Sequence, residues 1–466
     1  MAMRRHRKDR QGSLFVSAEA LAKGPGHPFY RRLNGLLEEH GFDAFVEGLC
    51  ASYYADRVGR PSIPPGVYFR MLMIGYFEGL DSERGIDWRV SDSLSLRAFL
   101  GYELTESTPD HSSLTRIRQR LPQEVHQEVF AWVLRVLQQA GLVQGQTLSI
   151  DGSTLEANAA LRSLVRRDSG EGYREYLTGL AQAAGIETPT REELARLDRK
   201  RPHKLSNADW QHPQDGEARV TKLKDGRTHL GYKVEHAVDL ETNAVLAVTV
   251  HGGDAADPAT LPQTLAQAQT HLGQLGTPVT VAEVVADKGY HSNETMKALA
   301  AAQVRSYVSE PRRGRRRWQH DRAAQAAVYA NRRRIGGRRG RALQRKRAEY
   351  VERSFAHSLE TGGMRRVHLR GREKVLKRMG IHLAAHNLGL LMRHRFGIGT
   401  PRSLQDCRAA LRALLSALCQ LLRTLFARHG RPWPMAALLA APKHRGAPSY
   451  QHHAGFWSGP RSSTGC

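Results

Sequence analysis

RAEYVERSF, residues 347–355, presents Glu352 on what reads as a helix, directly after the most basic part of the chain. Ala348, Val351, Phe355 and Leu359 recur at helical spacing, and Gly362 and Gly363 end the pattern. Between Pro311 and Glu349, 15 Lys or Arg stand against only Asp321 and Glu349. Like charges at that density repel one another unless a polyanion is present, so this segment is expected to be loose when free. The whole chain leans the same way. Over 466 residues, 70 Lys and Arg against 45 Asp and Glu leave a net charge of +25, which points to phosphate-rich partners.

A membrane surface fits less well. No apolar run approaches the roughly 18 residues needed to span a bilayer, and MAMRRHRKDRQGSLF at the start has a charged stretch without a following apolar one. Cys50, Cys407, Cys419 and Cys466 are scattered without a CxxC pair. A disulfide framework and a zinc finger are therefore not expected, and a cytoplasmic protein with free thiols is.

Upstream of the basic segment, two short apolar runs each close on an aspartate. TLSID (147–151) reads as a strand ending at Asp151, with Gly152 and Ser153 turning the chain away. VTVAEVVADKGYHS (279–292) reads as a buried strand ending at Asp287. Between them lie a polar insertion over 161–230, partly helical around 173–184, then two antiparallel strands in HLGYKVEHAVDLETNAVLAVTVHGG and a helix over 258–272. A helix over 293–302 and a fifth strand over 305–309 follow. Strand, hairpin, helix, strand, helix, strand, helix is close to the ribonuclease H-like order.

The N-terminal part reads differently. Residues 1–28 look like a basic flexible arm, and 29–145 like a helical unit in which 67–77 is a buried helix. In STPDHSSLTRIRQRL (107–121), Asp110 or Ser112 can cap a helix with Leu114, Ile117 and Leu121 on one side and Arg116, Arg118 and Arg120 decorating it. The second helix of a helix-turn-helix and an ordinary solvated amphipathic helix both fit. At the other end, 374–395 is a Leu-rich helix, 404–428 an amphipathic one suited to the core or to a second copy, and the rest a tail expected to be disordered.

Taken singly, each acid has an unremarkable reading. An Asp after a strand is most often a turn former or cap, and a Glu on a basic helix is usually in a surface ion pair. Their conjunction says more. Carboxylates are hard ligands for Mg²⁺, and a pair of ions about 4 Å apart can serve an in-line phosphoryl displacement. The motifs of nucleotide hydrolysis, dinucleotide redox, zincin and serine-hydrolase chemistry are absent from the sequence. His291 and His357 fall near the acids, where phosphate contact is one reading and an ordinary surface position the favoured one, and Tyr290 reads as packing.

SIDGSTLEANA, LGYKVEHAVD, VVADKGYHS and YVERSFAHSLETGGMRRVHLRGREKVLKR, together with PSIPPGVYFRMLMIGYFEGLDSERGIDWRVSDSLSLRAFLGYEL ahead of them, resemble DDE transposases of bacterial insertion sequences, the branch with an InsH-like N-terminal domain. The resemblance runs from about residue 29 to 395. It implies a mixed α/β protein: a helical N-terminal DNA-binding domain (29–145), a ribonuclease H-like catalytic domain (146–396) with its insertion and the basic segment 311–349, and a C-terminal tail (397–466). It implies a metal-binding catalytic triad of Asp151, Asp287 and Glu352, dependent on Mg²⁺ or Mn²⁺, with two ions expected. The implied activity is strand cleavage and strand transfer at the ends of an insertion sequence, with protomers assembling on terminal inverted repeats and target DNA. Arg116, Arg118, Arg120, Arg312, Arg313, Arg315, Arg316, Arg317, Arg332, Arg333 and Arg334 are the candidate DNA-binding residues. Many relatives carry a Lys two turns after the Glu. Here Leu359 and Glu360 stand there, so the phosphate-contacting residue is left open among Arg353, Arg365, Arg366 and Lys374. An inactive DNA-binding regulator and a metal-dependent nuclease without joining activity remain as alternatives.

Overall fold

The computed structural model describes residues 26–55, 62–201, 205–223, 226–312, 314, 316, 318 and 321–404. The arm over 1–25, the helix expected after 404 with the tail beyond it, and Arg313, Arg315 and Arg317 lie outside these residues. The N-terminal part is helical: α1 (Pro28–Glu39), α2 (Phe42–Cys50), α3 (Pro65–Glu78), α4 (Glu83–Ser91), α5 (Leu94–Leu100), α6 (His111–Arg120) and α7 (Gln123–Gln139). From Pro65 to Phe77 every residue of α3 is buried: the helix is apolar on nearly every side, and its one buried charge, Arg70, is paired with Asp43. Gly79, at φ 71°, then ends the helix in the left-handed conformation that glycine adopts without penalty. Of the two candidate caps for α6, Asp110 does the work, accepting from the Ser113 N–H at 2.6 Å.

The sheet begins with β1 (Thr147–Glu156). An insertion with β2 (Val165–Arg166), α8 (Tyr173–Ala183), α9 (Arg191–Lys200) and β3 (Trp210–Gln211) follows, and β4 (Arg219–Lys222) leads back. Then come β5 (Thr228–Asp239), β6 (Val245–Gly252), α10 (Asp257–Gly273), β7 (Glu283–Ala286), α11 (Asn293–Ala301) and β8 (Arg305–Val308). β5 lies antiparallel between β1 on one side and β4 and β6 on the other, while β1, β7 and β8 run parallel. The strands with Asp151 and Asp287 are thus neighbours. α10 packs on one face of the sheet, and α13 packs on the other.

Three sequence expectations need correction. β1 does not stop at Asp151 but continues through Gly152 to Glu156, paired with β5 throughout. Its parallel pairing with β7 ends at Ile150 and Ala286, so Asp151 is the first residue beyond that pairing while still inside a strand. Gly152 serves close approach rather than a turn. A Cβ there would stand 2.8 Å from Lys233 Cε and 3.2 Å from the Tyr290 hydroxyl.

The basic segment, expected to be loose, is largely helical: α12 (Arg322–Gly336) and α13 (Arg338–Phe355). Ala324, Ala327, Val328 and Leu343 bury one side of the pair. Counter-charges sit where the arginines need them: Glu310 pairs with Arg316 and Arg332, Glu283 with Arg339, and Glu241 with Lys346. Local repulsion is offset by acids outside the segment: Glu310 immediately before it, and Glu283 and Glu241 far away in sequence.

Finally, α13 runs into a π-helical turn (Ala356–Thr361), and α14 (Arg372–Phe396) comes back to pack against α3, α7 and β6. Asn387 of α14 bonds both the N–H and the C=O of Val245 on edge strand β6, at 2.9 and 2.7 Å. One apolar core therefore continues from Phe29 through the sheet to Met392, across the boundary near residue 145.

Candidate active site

Asp151 and Asp287 meet because their strands are in parallel register: each follows directly on the paired residues Ile150 and Ala286. Asp287 is half-buried and caps the turn after β7, accepting from the Gly289 N–H. Asp151 accepts from the Gly152 N–H and from the Arg347 guanidinium, each within 2.8 Å. Burial pushes the Asp151 carboxyl above the ordinary aspartate range, Arg347 and the Gly152 N–H pull it back, and the charges of Asp287 and Asp257 raise it again.

Alternation along β1 and β5 sorts the neighbours onto two faces. Asp151 pairs with His236, on the side of α13, where His236 Nδ1 meets Ser354 Oγ at 3.1 Å and its ring stacks on Phe355 at 4.2 Å. Gly152 pairs with Glu235, on the side of α10. There Lys233 Nζ lies 2.7 Å from Glu235, 2.6 Å from Asp257 and 2.8 Å from Thr260 Oγ1. Glu235 also accepts from the Tyr290 hydroxyl at 2.9 Å and from Thr264 at 2.6 Å. Burial alone would push the Glu235 carboxyl up, but Lys233, Thr260 and Thr264 outweigh it and hold the group below its ordinary range. Burial, followed by the charge of Glu235, pushes the Tyr290 hydroxyl far up.

Sequence reading missed Lys233, Glu235, Asp257 and Arg347 as parts of this site and took Tyr290 for packing alone. A signal was there. In LGYKVEHAVD the apolar positions 232 and 234 alternate with Lys233 and Glu235, which puts opposite charges on one face of a strand that must be covered by a helix.

Glu352 is exposed on α13, five residues beyond Arg347. At 1.5 Å per residue that is about 7.5 Å along the helix axis. Among the described residues no three His, Cys, Asp or Glu side chains are gathered so as to hold a metal ion. The structure thus unites two of the three expected acids and leaves Glu352 outside their pair. Two aspartates still suit a hard divalent cation such as Mg²⁺, which takes one or two protein carboxylates and completes its octahedron with water and phosphate.

The basic candidates separate by exposure. Arg118 is 6 % exposed and ion-paired with the buried side of Glu83, so it is withdrawn from any DNA face. Arg116 and Arg120 are exposed on α6. Arg312, Arg332 and Arg333 are exposed, the second bidentate on Glu310, while Arg316 and Arg334 are half-buried, the latter held by Ser306. His291 is buried and His357 half-buried, where surface positions were expected. No helix of the described residues is long and apolar enough to cross a membrane.

Comparison with known families adds to this. Residues 16–120 match the family model of a transposase domain (DUF772), and residues 198–388 match that of the transposase DDE domain. The second match takes in Asp287, Arg347 and Glu352 and begins beyond Asp151. No curated protein matches the chain.

Proposed function

Because this chain is a DDE transposase of the insertion-sequence type, we propose that it cuts a phosphodiester at the ends of its mobile element and joins the freed 3′ end to target DNA, with Asp151 and Asp287 at the reacting centre of a ribonuclease H-like domain. The observation that carries this is the register that sets the two carboxylates side by side just where the parallel pairing of β1 and β7 ends. A divalent ion held by them would polarise the attacking water or 3′-hydroxyl and stabilise the leaving oxygen.

The chain's own residues supply the rest. Asp151 and Asp287 concentrate negative charge at one rim of the sheet; burial raises the Asp151 carboxyl, and the charge of Asp287 adds to that rise. Exposed Arg312, Arg333, Arg338, Arg341 and Arg345 on and before α12 and α13 track the DNA backbone, giving affinity that falls steeply with salt. Arg116 and Arg120 offer a second contact on the helical part, where 29–145 serves as the DNA-binding region. Glu352, exposed on the same helix as Arg347, is the third acid of the reading.

Cleavage and joining of an end-containing duplex in Mg²⁺ or Mn²⁺ tests the proposal. Asp151→Asn and Asp287→Asn should each lower both steps on the order of 10³-fold or more while retaining DNA binding. Wild-type turnover in either variant would refute the assignment. Cleavage without joined product would identify a nuclease, and neither product a DNA-binding regulator.

A further inference from the structure

Among the described residues of the basic segment, Arg347 is the guanidinium that bonds Asp151. Its NH1 donates to Asp151 Oδ2 at 2.7 Å, with both side chains largely covered, 17 % and 26 % exposed. The contact is built. Arg347 Nε donates to Gln344 Oε1 at 3.2 Å, and Gln344 Nε2 is in turn fixed to the carbonyls of Tyr307 and Ala286, the latter just before Asp287. Among the described residues, four carboxylates stand where the β1–β7 pairing ends, Asp151, Asp257, Asp287 and Glu235, and the cations in contact with them are Lys233 and Arg347. Two negative charges are left over, the charge of one divalent cation. Lys233 is sealed under the sheet by Glu235, Asp257 and Thr260, whereas Arg347 is on the side that continues outward through exposed Arg345, Arg341 and Arg338.

We propose that Arg347 is a built-in cation for Asp151 that gives way to the divalent ion and then donates to the non-bridging oxygens of the scissile phosphate. This rests on the reading of Asp151 as a metal ligand. It also supplies a phosphate contact on α13, five residues N-terminal to Glu352. A guanidinium suits both partners, since its planar fork matches carboxylate and phosphate alike.

The test is a Mn²⁺ titration of the full-length protein without DNA, followed by electron paramagnetic resonance of the free ion. Arg347→Gln should bind Mn²⁺ tighter by roughly tenfold or more, because a charge-assisted bond to Asp151 no longer competes. Arg347→Lys should fall between. A second readout is the salt dependence of binding to a short random-sequence duplex. With Mn²⁺ present, the slope of log K against log salt should be shallower by about one in Arg347→Gln than in wild type; without the ion the two slopes should agree. Equal or weaker Mn²⁺ affinity in Arg347→Gln, or slopes that agree under both conditions, would overturn the role of Arg347. Asp151→Asn separates this from its premise: if that variant binds Mn²⁺ as wild type does, the metal reading of Asp151 falls and the inference with it.

Discussion

Glu235 and His236 are consecutive, both fully buried, and face opposite sides of one sheet with opposite electrostatics. On the α10 side, Glu235 is charged and saturated by Lys233, Thr260, Thr264 and Tyr290. On the α13 side, burial holds His236 neutral, its pKa pushed down to about 3, and its Nε2 has no hydrogen-bond partner. The two faces divide the labour. Charge that is fully paired fixes the strand ends in place, and a neutral imidazole beside Asp151 adds no counter-charge. The carboxylate pair is then left to Arg347, the cation in contact with Asp151, and to whatever ion replaces it.

The largest expected effect strikes the saturated face. Lys233→Met strands Glu235 without its counter-ion, and breaking a buried pair from one side costs about 3–5 kcal/mol. The denaturant midpoint should fall accordingly. Adding Glu235→Gln should recover most of that loss, since the penalty belongs to the unpaired charge. If the double variant stays as unstable as the single one, Lys233 acts through packing and the contrast between the faces is wrong.

A middle effect belongs to the neutral face. His236 and His386, with pKa values pushed down to about 3 by burial, and His382, pushed well below its usual range by the same cause, stay unprotonated in the folded chain. In the unfolded chain they take up protons near pH 6.5. Their contribution is therefore intact above about pH 6.5 and is lost as pH falls from there toward the folded values, at about 1.4 kcal/mol per pH unit for each histidine. Denaturant midpoints measured at descending pH should drop steeply below pH 6. His236→Phe, which keeps a ring against Phe355, should flatten that slope by one histidine's share. An unchanged slope would mean that His236 is not neutral in the fold.

How legible this was follows from the same residues. Period and punctuation revealed the strands of Asp151 and Asp287, the hairpin turned at Asn243 with φ 66°, and the buried helix α3, since each is a local pattern. Gly152 misled, because a glycine needed for close approach to Lys233 and Tyr290 looks the same in sequence as one needed for a turn. The basic segment misled for a related reason: Glu283 and Glu310, which neutralise Arg339, Arg316 and Arg332, are supplied by β7 and the end of β8. Arg118 looked like its neighbours Arg116 and Arg120 until tertiary packing brought it to Glu83. As for the site, order along the chain named the two aspartates. Which cation touches them depends on the phase of α13, where Arg347 points inward and Glu352, five residues and about 140° further round the helix, does not.

The smallest effect tests whether the saturated face reaches across to the reactive one. A Cβ on Gly289 would run into Asp257 Oδ2 and stand 3.1 Å from Asp287 Oδ1, with no left-handed backbone to strain. Asp257 is 38 % exposed, so its carboxylate can swing into water, and Gly289→Ala should cost about 1 kcal/mol or less in stability. What it removes is the packing of Asp257, the partner of Lys233, over the turn that carries Asp287. If that packing positions Asp287, Mn²⁺ affinity should drop severalfold while the melting temperature hardly moves. If Mn²⁺ affinity holds and stability falls by several kcal/mol instead, Asp257 belongs to the scaffold with Glu235, and the division between a pinned face and a reactive one runs through the turn rather than through the sheet.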